Sequence, residues 1–181
     1  MKRRVKRHTV VQPLDTSYRL IPLTQGQNTI VDAGDFDWLS QWNWWADKNP
    51  KTGKFYALRA DQINNRAPKV RMHRLILGCN DSEEGDHRNC DGLDNRRDNL
   101  RKCTRRENTR NRKLPATSTT GYKGVFFHRE CKTKPWQARI FASPKKFHLG
   151  MFYTREEAAR AYDAKAKELF GEFAHLNFPG G

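Results

Sequence analysis

The alternation of hydrophobic and polar positions predicts a β-rich first region, from about residue 8 to residue 71. Apolar segments recur there, and a Pro/Gly turn at 50–53 separates two of them, which is typical of a β-hairpin. A second break at 64–68 predicts another turn. The predicted strands are Tyr18–Leu23, Asn28–Val31, Trp42–Ala46 and Phe55–Arg59, with one short helix over Asp32–Ser40. Four of the five tryptophans lie in this region, and we expect them to pack in its core, the alternative being stacking on bases.

The second region, residues 70–112, combines short elements with a polar loop. An apolar run predicts a helix over 72–78, because glycine, here Gly78, is frequent just after helix C-termini. Thr104 followed three residues later by Glu107 is a capping-box pattern that predicts another helix.

A small, polar segment, 113–121, reads as a linker to a third region. Three strands are predicted beyond it, over 123–127, 136–140 and 147–150, followed by a helix that begins after Thr154. We therefore predict an α+β chain: a β-rich part, a strand–strand–helix core, and a three-stranded antiparallel sheet packed on one amphipathic helix.

The composition indicates a polyanionic partner. The 181 residues include 35 Lys and Arg against 20 Asp and Glu, a net charge of +15. Each phosphate that such a surface neutralises releases counterions, so nucleic acid is favoured. A membrane is not expected, because no apolar run of about 20 residues occurs. The four cysteines form no C-x-x-C pair, which argues against structural zinc and favours reduced thiols in a cytosol.

Asp86-His87, Asn99 and Asn108 form the strongest candidate for chemistry. Oxygen ligands from Asp86 and Asn108 suit Mg²⁺ or Mn²⁺, and a neutral His87 suits a general base, because the unperturbed pKa of histidine is about 6.5. Asn99 would hydrogen-bond backbone groups and fix the loop. This set predicts phosphodiester hydrolysis, and it requires the His87 ring to reach solvent.

The segment "VRMHRLILG…GDHRNCDGLDNRRDNLRKCTRRENTRN" resembles the HNH nuclease family, with its ββα-metal fold, and phage and intron-type homing endonucleases most of all. The resemblance implies Asp86 and Asn108 as metal ligands, His87 as general base and Asn99 as organiser. Two alternatives stay open, Asn95 in place of Asn99 and Asn111 in place of Asn108.

Further residues of the same segment are predicted to contact DNA. His73 and Arg74 lie in an "MHR" sequence frequent in these nucleases, where they would grip the cut-strand phosphate, the alternative for His73 being a capping or packing role. Basic residues are dense between Arg96 and Arg112 and favour phosphate contacts. The candidates are Arg74, Arg96, Arg97, Arg101 and Arg105.

The sequence "TGYKGVFFHRECKTKPWQARIFASPKKFHLGMFYTREEAARAYDAKAKELFGEFAHLNFP", residues 120–179, resembles the APETALA-two/ethylene-response-factor DNA-binding domain. This resemblance implies a sheet that lies in the DNA major groove. The matching strand positions are Lys123, Phe126, His128, Trp136, Arg139, Phe141, Lys146 and His148. Lys123, Phe126 and Phe141 stand where the plant pattern has arginine, and His148 stands where it has tryptophan, so base preference does not transfer.

Together these patterns predict a metal-dependent, homing-type DNA endonuclease that nicks double-stranded DNA. We expect a monomer or weak dimer in the cytoplasm of a phage-infected or bacterial cell. The predicted domains are a basic arm (1–16), a nuclease domain (17–112), a linker (113–121) and a DNA-binding domain (122–181). The alternatives are a non-catalytic DNA-binding regulator and a ribonuclease that uses the same site.

Overall fold

The computed structural model describes residues 7–50, 52–61, 69–111, 114 and 118–179. The chain divides into two compact units, unit 1 (Met1–Arg105) and unit 2 (Arg106–Gly181). Both contain antiparallel strands and few helices, which confirms the α+β class. The predicted break at 64–68 lies outside the described residues, and the predicted domain limits stay predictions.

Unit 1 is built from three small sheets, β1–β2, β3–β4–β5 and β6–β7, in which all neighbouring strands are antiparallel. Along the described chain, two helices lie between strands, and a short 3-10 turn (Arg97–Asn99) precedes the last strand of the unit. The elements are β1 (Tyr18–Pro22), β2 (Asn28–Asp32), α1 (Ala33–Ser40), β3 (Trp45–Lys48), β4 (Phe55–Ala60), β5 (Lys69–Arg71), α2 (Met72–Leu77), β6 (Glu84–His87) and β7 (Leu100–Cys103). Helix α3 (Arg105–Arg110) follows at the division between the units.

The core of unit 1 is organised around Trp44, whose side chain is fully buried. Its indole N–H donates to the carbonyl of Leu39 at 2.8 Å, so the polar atom of this large side chain is satisfied inside the core. Trp42 packs edge-on against Trp44 and Trp38, at 6.3 Å and 5.8 Å between ring centroids. Trp44 lies in the core and Trp38 packs against it, as the sequence predicts, whereas Trp42 is 36% exposed.

Unit 2 contains one sheet of order β10–β9–β8 and the helix α4. Its elements are β8 (Val125–Phe127), β9 (Trp136–Ala142), β10 (Lys145–Phe152) and α4 (Arg155–Phe170). The capping box is confirmed, because Thr154 accepts from the backbone of Glu157 while the Glu157 carboxylate accepts from the backbone of Thr154. Alanines on both elements let α4 pack closely on β9; Ala138, Ala158, Ala159 and Ala166 are fully buried.

Gly124, which precedes β8, lies close to α4. A Cβ atom there would lie 2.0 Å from the ring of Tyr162, and the backbone φ of +75° lies in the left-handed region. Only glycine meets both conditions. Burial raises the pKa of Tyr162 to about 12, because the ionised phenolate would be poorly solvated there.

The last described segment of unit 2 is held on α4 by hydrogen bonds to Asp163. Its carboxylate accepts hydrogen bonds from the backbone N–H groups of Asn177 and Phe178, each at 2.9 Å. The Asn177 side chain in turn accepts from the N–H of Lys123 at 2.7 Å. Residues 163, 177 and 123 thus form one network that positions the start of β8.

Candidate nucleic-acid interface

Strand register separates the side chains of unit 2 into two faces. Val125, Ala138 and Ile140 are buried against α4. Because successive side chains of a strand point to opposite faces, their neighbours lie on the opposite, outer face. Across the strands the outer-face pairs are Phe126 with Gln137, Arg139 with His148, and Phe141 with Lys146.

The outer face combines cations with exposed aromatic rings. The Arg139 guanidinium stacks on the ring of Phe126, 3.6 Å from its centroid. Phe141 is 65% exposed, and Lys146 and His148 are exposed on the neighbouring strand. A face of this composition offers hydrogen-bond donors, positive charge and apolar contact area together, which is the combination that base edges and phosphates require.

Trp136 lies on the other face of the sheet. It pairs with Phe127 and Phe152 in the register, packs against the core cluster, and contacts the Phe127 ring at 4.9 Å between centroids. The structure therefore gives Trp136 a packing contact. His128, also predicted at the interface, contacts Gln137 through its side chain at 3.0 Å.

A groove of about 310 Å³ adjoins the outer face. Lys123 donates to the backbone carbonyl of Arg110 at 2.7 Å, and the Arg110 guanidinium lies 4.5 Å from the ring centroid of Phe170. The basic residues that line the groove are Arg110, Lys123, Arg139 and Lys146. The sequence patterns did not connect Arg110 with this sheet, because its position depends on a tertiary contact outside the strand pattern.

The predicted metal ligand Asp86 is instead one half of a buried ion pair. One of its carboxylate oxygens accepts from Nε and Nη2 of Arg101 at 2.9 Å and 2.6 Å, and both side chains are less than a tenth exposed. A divalent cation would have to compete with this guanidinium inside a desolvated site. The residues at Asp86 therefore do not fit the predicted cation.

His87 is also buried, with only 5% of its surface exposed. Its ring contacts His73, 4.7 Å away between centroids, and Tyr56 at 6.1 Å, while Nε2 lies 3.2 Å from the side-chain oxygen of Asn95. Burial lowers the pKa of His87 and lowers that of His73 further. The solvent access that a general base needs is absent.

The two asparagines of the predicted set are placed differently. Asn99 donates to the carbonyl of Asp94 at 2.7 Å and accepts from the N–H of Asn89 at 3.0 Å, so its side chain ties the loop between β6 and β7. Asn108 belongs to α3 in unit 2, whereas Asp86 belongs to unit 1. In the described part of the chain, no group of three or more His, Cys, Asp or Glu side chains could hold a metal ion.

The predicted DNA-contacting arginines of unit 1 have partners within the protein. Arg96 pairs with Asp94, and its guanidinium lowers the pKa of that carboxyl group; Arg97 pairs with Asp35. Arg101 is the buried partner of Asp86. Arg74 donates to the backbone carbonyls of Glu83 and Asn80, and Arg105 is exposed at the first residue of α3.

Similarity searches relate part of the chain to plant transcription factors. No known family profile matches. Over 69 residues, 38% of this chain and 14% of the relative, it is 38% identical to the AP2-like ethylene-responsive transcription factor TOE2 of Arabidopsis thaliana. Over 67 residues, 37% of the chain and 15% of the relative, it is 39% identical to APETALA2-like protein 2 of Oryza sativa subsp. indica. The dehydration-responsive element-binding protein 2D of Arabidopsis thaliana is 40% identical over 67 residues, 36% of this chain and 31% of the relative.

These findings confirm the APETALA-two-like resemblance and overturn the enzyme prediction. The chain spans less than a third of the length of each of these relatives, of which one is named as a transcription factor and another as an element-binding protein. The predictions of an HNH endonuclease or hydrolase, of homing, and of a Mg²⁺ or Mn²⁺ cofactor are wrong on this evidence, and the buried Asp86–Arg101 pair agrees with the correction. The matches are plant proteins and give no support to a phage or bacterial setting. No helix among the described residues has the length and apolar character needed to cross a membrane.

Proposed function

We propose that this chain is a non-catalytic regulator that binds double-stranded DNA through the outer face of the unit 2 sheet. The observation that carries the proposal is the register, which places Arg139, Lys146 and His148 on one exposed face opposite α4. One of the relatives is named as a transcription factor and another as an element-binding protein, which favours a regulatory role for a DNA-binding face on this chain.

The dimensions of the sheet suit the major groove. Three strands spaced about 4.8 Å apart are roughly 10 Å across, and the major groove of B-form DNA is about 12 Å wide. A sheet can therefore enter it and present its outer side chains to base edges. Arginine binds O6 and N7 of guanine with two hydrogen bonds, and we assign this role to Arg139.

The stack of Arg139 on Phe126 supports this assignment. Holding the guanidinium 3.6 Å from the ring centroid restricts its rotamers before DNA is bound. The entropic cost of ordering a long side chain is then smaller at the moment of binding. Lys123 and Lys146 flank the face and supply charge for the phosphates on either side of the groove.

Unit 1 contributes a scaffold in this proposal. The Asp86–Arg101 pair and the His73–His87 contact fill the interior of unit 1 near the β6–β7 hairpin, and they do so without metal chemistry. We propose Arg96, Arg97 and Arg105 as sequence-independent phosphate contacts, because parts of these side chains stay exposed. The oligomeric state, monomer or weak dimer, stays a prediction.

A pair of arginine variants tests the interface. We expect Arg139→Ala to weaken binding to a duplex selected from a random library by roughly 5- to 150-fold, because a bidentate contact to guanine is lost. The readout is a gel-shift titration with the full chain at fixed salt. Arg155→Ala is the matched control, since it removes the same charge from an exposed residue at the start of α4.

The two variants should differ in their affinity for the selected duplex. Arg155→Ala should bind the selected duplex within about twofold of the parent chain, because its charge acts only through screened, long-range electrostatics. Equal losses in both variants, or a parent chain that selects no duplex, would contradict the proposed interface.

A further inference from the structure

The outer face of unit 2 exposes phenylalanine where a purely polar interface would need none. Phe141 is 65% exposed, and Phe126 is 36% exposed although Arg139 covers part of its ring. Both lie opposite the α4 side of the sheet, so neither contributes to the clusters that hold the helix on the sheet. Their apolar surface needs another partner.

The register places these rings among the groups that would read bases. Phe141 lies two residues from Arg139 on β9 and pairs with Lys146 on β10. A ring in that position enters the major groove whenever Arg139 does. Its apolar surface then lies against the DNA, and the base edges are the part of the groove closest to Arg139.

The major groove offers one apolar group, the C5-methyl of thymine. Cytosine has only a C–H at the corresponding position, and the nitrogen and oxygen atoms of the base edges are hydrogen-bond donors or acceptors, so covering these with a phenyl ring removes their water without replacing the hydrogen bond. Contact with a methyl group instead removes apolar surface from water on both sides. A site with thymine opposite the ring is therefore bound more tightly than one with any other base.

We propose that Phe141, assisted by the edge of Phe126, is a specificity residue that reads thymine methyl groups close to the guanine bound by Arg139. This inference rests on the proposed function, since it requires the outer face to lie in the major groove. It requires the bound sequence to contain thymine, and it explains why these phenylalanines are exposed although they do not pack in the core.

The experiment replaces thymine by deoxyuridine, which differs only by the missing methyl group. Duplexes selected by the full chain are resynthesised with single thymine-to-deoxyuridine changes, and each dissociation constant is measured. We expect one or two positions at which the parent chain binds about three- to fivefold more weakly, the effect of burying one methyl group. At those positions Phe141→Ala should bind thymine and deoxyuridine equally.

Phe127→Ala is the matched control, because Phe127 is 54% exposed but lies on the Trp136 side of the sheet. It should keep the parent's discrimination between thymine and deoxyuridine. A parent chain that binds a selected duplex with no methyl dependence at any position would overturn the inference and leave the proposed function intact. Failure to bind duplex DNA at all would overturn both.

Discussion

At the scale of single residues, whether the Asp86 carboxylate is available to a ligand depends on its neighbour across the hairpin. Asp86 and Arg101 are register partners in the β6–β7 pair, so their side chains meet although they are 15 positions apart. Adjacent letters in a sequence show Asp86 beside His87 but do not show that a guanidinium already compensates the carboxylate. The residue types of the candidate site were readable from the sequence; its burial and pairing were not.

The buried histidines give a prediction about pH. The folded pKa values of His73 and His87 are lowered, so the unfolded chain, with histidine pKa values of about 6.5, binds protons first as the pH falls. Their contribution to stability is complete above that pH and is lost below it. We expect the free energy of unfolding to fall by up to about 1.4 kcal/mol per pH unit for each histidine below pH 6.5.

Urea unfolding at pH 7.5, 6.5 and 5.5 measures this slope. His87→Gln should reduce it, because one buried titrating group is removed. His148→Gln changes an exposed histidine and should leave the slope as it is in the parent chain. An unchanged unfolding free energy between pH 7.5 and 5.5 would show that the two rings do not titrate on unfolding.

At the scale of elements, short sequence patterns were sufficient to predict a helix or strand where they determine the backbone conformation directly. Helix α4 begins where its capping box predicts, and segments rich in apolar and aromatic residues locate β8, β9 and β10. Strand β5 has three residues, too few for an alternation to be recognised. In β10 the register shifts between His148 and Gly150, so Met151 falls on the outer face, which strict alternation does not predict.

Gly124 and Gly121 allow backbone strain to be separated from packing. Both have a φ of +75°, but a Cβ at Gly121 meets nothing within 4 Å, whereas one at Gly124 collides with Tyr162 and the carbonyl of Arg139. We expect Gly121→Ala to cost roughly 1–2 kcal/mol of stability, the cost of the left-handed conformation. Gly124→Ala should cost roughly 2 kcal/mol more, since α4 must move away from the sheet.

Denaturant titration of both variants measures the difference. Equal destabilisation would mean that the Tyr162 ring can rotate away from the new methyl group. In that case the close packing of α4 on β9 would not depend on a missing side chain at position 124.

At the scale of the whole molecule, the two resemblances had different outcomes. The basic composition and the residue 120–179 pattern pointed to DNA, and the similar plant proteins agree with that pattern. The nuclease resemblance rested on spaced polar residues in the other region, and spacing does not show whether a histidine reaches water. The three relatives named align with 36–38% of the chain, and the function given above for the whole chain is a proposal.

The proposal that the chain is non-catalytic is testable on the intact chain. With Mg²⁺ in excess, supercoiled plasmid should stay supercoiled at protein concentrations that saturate binding, because His87 is buried and Asp86 is paired. Agarose gels with and without EDTA measure nicking. Nicks that require Mg²⁺ and vanish in His87→Ala would show that the chain is a metal-dependent nuclease after all.

The hydrogen-bond network around Asn177 affects when unit 2 can finish folding during synthesis. The amide of Lys123 is held by a side chain 54 positions later, and that side chain is anchored on α4. During translation the three-residue edge strand β8 cannot gain this fastening until residue 177 has left the ribosome. The face that we propose to contact DNA is thus completed late in synthesis, and an unfinished chain does not yet present it.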